Sequence, residues 1–217
     1  MKASYALILV ALGFACIGDM AQAAQPQPGR AVLAAALKKY LGQHGDLCVG
    51  KFDWPIDVPE SDFEIGTRDT MQMPAMEKSG LVTYTNAVVE RKQDEAVQQV
   101  PVRRYELTEV GRKFYLKKEM ASGGPGGKPL LHPGDFCAGK LSLDKVVGWN
   151  KPVLVGGRRE TTVTFTYTIA ATSWARDPEL QKVFPMVARV VSGERDLQLQ
   201  QRLRWSGKSW VAVPLWE

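Results

Sequence analysis

Two stretches of the chain nearly repeat one another: HGDLCVGK at residues 44–51 and HPGDFCAGK at residues 132–140. His44 and His132 are the only histidines among 217 residues, and Cys48 and Cys137 are two of three cysteines. Three chemistries draw on these residue types. A thiolate beside an imidazole base is a nucleophile, and His44/Cys48 or His132/Cys137 gives such a dyad. Two imidazoles and two thiolates make a tetrahedral zinc site, with His44, Cys48, His132 and Cys137 as ligands. Two cysteines alone make a disulfide.

The compartment weighs among these. Lys2 begins the chain with a positive charge, Ala3 to Gly18 form an apolar run, and Ala21-Gln22-Ala23 is a small-x-small site. That is the layout of a secretory signal peptide over residues 1–23, with cleavage expected near Ala23. Lipid attachment at Cys16 would need a large aliphatic residue three positions earlier, where Gly13 stands. No later run has the apolar length for a bilayer span, so no transmembrane segment is expected in the mature chain, which is expected to be periplasmic or secreted. An oxidising address removes free thiolates and favours pairing of an even cysteine count. The expected pairing is a Cys48–Cys137 disulfide, with Cα atoms about 4.4–6.8 Å apart. The zinc alternative requires both histidines to converge on the sulfurs.

The elements that must position these groups can be read from periodicity. Arg30 to Gln43 repeats its apolar residues at helical spacing, Val32, Leu33, Ala36, Leu37, Tyr40 and Leu41. Lys51 to Pro59 is extended and broken by prolines. Thr67 to Ser79 is a second helix, followed by a hairpin of Leu81–Val89 and Val100–Leu107 around a charged turn. Residues 121–129, ASGGPGGKP, form a Gly/Pro linker. This linker is no phosphate loop, because Ser122 and Pro129 stand where that motif needs Gly and Ser or Thr. Beyond it, Val163, Phe165, Tyr167 and Ile169 alternate with Thr162, Thr164, Thr166 and Thr168, a strand with one buried face. Asp177-Pro178-Glu179 starts a helix that Pro185 should bend or split. Arg195 to Trp205 and Ser209 to Val213 complete a sheet.

The order of helix, SGLV, hairpin and YELTEVGRKFY over residues 67–116 resembles the last helix and wing of a winged-helix domain. Leu107, Thr108, Gly111 and Arg112 stand at the positions of that family's L-T-x-x-G-[KR] element. The family implies DNA binding through a basic helix. Here that helix, TRDTMQMPAMEKS, carries two basic and two acidic residues, and no specific DNA binding is expected. The second half resembles small bacterial exported proteins of no known activity, through Cys137–Lys140, Val163–Tyr167 and Trp174–Pro178.

The fold class expected is α+β. Residues 24–120 form a helical, winged-helix-like unit, and residues 130–217 form an antiparallel sheet with one packed helix. No nucleophile elbow, zinc-protease pair or dinucleotide fingerprint occurs, and no cofactor is expected. The carboxylate pairs Asp53/Asp57 and Asp94/Glu95 lie in broken or charged segments and read as solvated surface. The net charge of +5 is scattered along the chain. One surface stands out as a binding face: Thr162, Thr164, Thr166 and Thr168 beside Gln198, Gln200, Arg202 and Arg204. The reading is thus an exported envelope protein that binds a partner or stabilises an assembly without catalysis. Its partner would be an envelope protein, a glycan or an anionic surface. The rival is an enzyme with its site between the two units, and a third, weaker alternative is a nucleic-acid-binding winged-helix protein.

Overall fold

A computed structural model describes residues 28–93, 96–123 and 128–213; the expected signal peptide and Cys16 lie outside them. The first part runs α1 (Arg30–His44), β1 (Asp46–Cys48), β2 (Ile56–Pro59), α2 (Asp62–Ile65) and α3 (Arg68–Lys78). A long hairpin follows, β3 (Val82–Gln93) and β4 (Ala96–Leu107), then α4 (Glu109–Arg112) and β5 (Tyr115–Leu116). A short ribbon comes next, β6 (Met120–Gly123) and β7 (Pro129–His132). The rest is β8 (Asp135–Trp149), β9 (Val153–Val155), β10 (Arg158–Ala171), α5 (Pro178–Val183), α6 (Pro185–Ser192), β11 (Leu199–Trp205) and β12 (Trp210–Ala212).

Strand accounts for 46% of the structure and helix for 28%, so the α+β, winged-helix-like expectation is overturned: this is a β-rich fold. Its centre is a curled antiparallel sheet in the order β1-β8-β10-β11-β12, with β5 added to β8 and β9 to β10. The curl has a local cause. Along β10 the partner register skips Val147 and then Asp144 of β8, and each extra residue bends and twists the strand that carries it.

The first helix shows why the winged-helix reading fails. The predicted stripe does form, with Leu33, Leu37 and Leu41 buried at every fourth position. Yet it packs on Val146, Val163, Phe165, Leu203 and Trp210 of the central sheet, not on α3. Each leucine so buried contributes roughly 1.5–3 kcal/mol. The α3-to-hairpin order is real, but it lacks the helical bundle beneath it.

The second layer is the three-stranded sheet β2-β4-β3. A core cluster joins Val58, Met73, Met76 and Tyr105 to Phe136, Trp174, Leu180 and Phe184, so residues on both sides of 121–129 share one core. That Gly/Pro stretch is itself partly strand, since Ser122 pairs with Leu130 and Gly123 with Pro129. The charged turn shrinks likewise, because residues 90–93 continue in β3 opposite 96–99. The helix after Asp177 splits at Phe184, whose φ of −122° and ψ of 65° precede Pro185; the proline ring disfavours a helical conformation in the residue before it.

Candidate functional site

The repeated element is an interlocked pair. Cys48 and Cys137 are disulfide-bonded and stand directly opposite in the β1–β8 register. Their Cα atoms are 3.8 Å apart, closer than the predicted range of about 4.4–6.8 Å and closer than the roughly 4.5 Å of the tighter antiparallel pair. The acidic residue of each copy holds the lysine of the other. Asp135 accepts from the backbone N–H groups of Gly50 (3.1 Å), Lys51 (2.7 Å) and Phe136 (2.7 Å). Asp46 ion-pairs with Lys140 (3.7 Å) and Lys118 (2.9 Å). Lys51 is buried against Asp69; burial pulls its ammonium below the usual lysine range, and Asp69 opposes that pull. Burial likewise pushes the Asp135 carboxyl up, the three N–H donors partly offsetting it.

The zinc alternative is corrected. Both thiolates are consumed by the disulfide, and the histidines go to different places. His44 ends α1 and stacks on Tyr40. Among the described residues no group of three or more His, Cys, Asp or Glu is placed to hold a metal. The thiolate dyads fail for the same reason.

His132 has a different role from any the sequence suggested. Its ring lies flat on Phe52, with centroids 4.1 Å apart and planes 10° from parallel. Nδ1 is 2.8 Å from Asp53 Oδ2, and Nε2 is 2.9 Å from Ser122 Oγ. The imidazole is only 8% exposed, whereas Asp53 is 65% exposed. Three segments supply this chain of groups: the loop after β1, β6 and β7. Tyr115 fixes the loop by donating from its hydroxyl to the Phe52 carbonyl (2.6 Å). Sequence reasoning paired each histidine with its nearest cysteine and placed Asp53 on solvated surface. The one available signal was a serine beside the glycine run.

The threonine and arginine rows are partly brought together. Thr162 faces Arg202 and Thr164 faces Gln200 across β10 and β11. Thr166 is instead buried and donates to Asp144 Oδ2 (2.7 Å), and Thr168 faces Ser142 on the other neighbour. Gln198 is exposed just before β11 begins. Glu160, almost fully buried, lies 2.7 Å from Arg204 and 3.5 Å from Arg202. Both arginines thus hold a buried carboxylate, and the face offers less free charge than its sequence implied.

A groove lies elsewhere. Along α1, the segment 118–121 and β12 enclose about 910 Å³. Its walls are mainly apolar, from Val32, Ala35, Tyr40 and Trp210, with Lys39 and Lys118 among them. Its two carboxylates are Asp46, committed to lysines, and Glu119. Among the described residues no helix is long and apolar enough to cross a membrane. No protein-family model, curated protein or solved structure matches the chain.

Proposed function

We propose that this chain is an exported envelope protein that binds a partner molecule in the groove beside α1. The observation that carries the reading is the volume and lining of that groove. About 910 Å³ of mainly apolar wall with a few polar groups suits a small ligand or an inserted side-chain cluster. The groove residues contain no nucleophile held by a base, which favours binding over chemistry at this place. The intramolecular disulfide is compatible with an oxidising address.

The test is a change that fills the groove without touching the core. Ala35 is exposed on α1 and lines the groove, so Ala35→Trp should leave the fold intact. Mature protein recovered from the envelope and examined by native mass spectrometry should carry a bound species. The Ala35→Trp variant should not. Identical ligand-free spectra for both proteins would overturn the reading.

A further inference from the structure

The contacts of His132 have a direction. A carboxylate only accepts, so with Asp53 Oδ2 at 2.8 Å the proton of the neutral imidazole sits on Nδ1. Nε2 then carries the free lone pair, and the hydroxyl of Ser122, 2.9 Å away, donates to it. A hydroxyl donating to an imidazole that a carboxylate orients is the arrangement that activates serine for attack on acyl carbon. Such sites are recognised by geometry and roles on unrelated folds, not by order in the chain. The Phe52 face and the near-complete burial of the ring hold the imidazole in one orientation. Ser122 is half-buried and Ala121 and Gly123 beside it are exposed, so the ribbon that carries the serine lies at the surface.

We propose that Ser122, His132 and Asp53 form a nucleophilic site for acyl esters, a function separate from the groove. Ser122 Oγ forms a bond to the ester carbonyl carbon while its proton passes to His132 Nε2. The ester C–O bond then breaks, and the leaving alcohol takes that proton from Nε2. Water attacks the acyl-serine, giving a proton to Nε2; the serine oxygen departs and regains it, and a carboxylic acid is released. Ser122 and His132 are the catalytic residues. Asp53 is a positioning residue, and its exposure to water weakens its hold on Nδ1–H. Its loss should therefore cost less than the roughly 10⁴-fold known for a buried triad aspartate.

The experiment uses the oxidised mature protein, a fluorophosphonate probe and p-nitrophenyl acetate. Mass spectrometry should find the probe on Ser122 at about one equivalent, with an initial p-nitrophenol burst of the same size. Ser122→Ala should abolish both, and it removes only a hydroxyl from a half-exposed ribbon. His132→Gln should slow labelling by about 10²–10⁴-fold. Asp53→Asn should slow it by about 10–100-fold, and Asp53→Glu should restore most of the rate. Labelling of Ser122 no faster than in urea-unfolded protein would overturn the proposal. So would ester turnover that survives Ser122→Ala. Neither readout measures groove occupancy, so failure of one reading leaves the other standing.

Discussion

Removal of Asp135 should cost the fold heavily for a side chain of its size. Its two oxygens accept three backbone N–H groups, and two of the donors, on Lys51 and Phe136, belong to residues that are 3% and 0% exposed. An orphaned buried donor costs roughly 1–3 kcal/mol, while the Gly50 donor is half-buried and can recover water. Asp135→Ala should therefore destabilise by about 3–5 kcal/mol, a large share of the 5–15 kcal/mol typical of a domain. Asp135→Asn keeps one acceptor oxygen but turns an N–H toward a donor, and should cost about 1–2 kcal/mol. Burial raises the carboxyl above the ordinary aspartate range, so the folded state keeps this proton to higher pH than the unfolded chain. The stability from this group is full below the unfolded value, near 4, and declines as pH rises through the folded one. Urea melts of wild type and both variants at pH 4 and pH 7 test this. With a slope of about 2 kcal/mol/M, the alanine variant should lose about 2 M in midpoint. The asparagine penalty should shrink between pH 4 and pH 7. A midpoint loss under about 0.5 M for alanine, or an asparagine penalty that grows with pH, would refute the reasoning.

Reduction of Cys48–Cys137 reopens a loop of 89 residues and should cost about 4.6 kcal/mol on the chain-entropy model, read as a lower urea midpoint with reductant; an unchanged midpoint would count against it. Gly139→Ala should cost about 1–3 kcal/mol in thermal or urea melts, since its Cβ would stand 2.7 Å from the Ala170 oxygen and 2.9 Å from the Ala171 Cα, both rigid backbone. A wild-type melting curve would show that β10 can give way there. N-terminal sequencing of the envelope fraction should begin near Ala24, and an intact Met1 on a cytoplasmic protein would contradict export.

Periodicity carried far because it is local. The alternation of Val163, Phe165, Tyr167 and Ile169 became the buried face of β10, and the leucines of α1 are buried as their spacing implies. The Asp177 cap and the break before Pro185 were likewise legible, since each is decided within a few residues. What a helix packs on is not local: the stripe of α1 would fit a bundle or a sheet equally well, and its actual partner lies more than a hundred residues away. The site around His132 stayed hidden for the same reason. Asp53 is 79 residues from His132 in sequence, and no spacing rule connects them. Thr166 departs for a subtler cause: a period of two names the face, but Asp144, the residue the β8 register skips, accepts from its hydroxyl.

The bridge between the repeated elements divides the molecule into a covalent ring and two tails. The ring, residues 48–137, contains the β2-β4-β3 sheet, α3 and the Ser122–His132 ribbon, while α1 and everything after Cys137 hang outside it. A protease that cuts one peptide bond inside the ring leaves a single molecule of unchanged mass but for one water. A cut in either tail releases a fragment held only by packing. Damage to the part bearing Ser122 is thus reversible in space, because the severed ends stay tethered at neighbouring strands. Loss of α1 would strip Leu33, Leu37 and Leu41 from the sheet in one event.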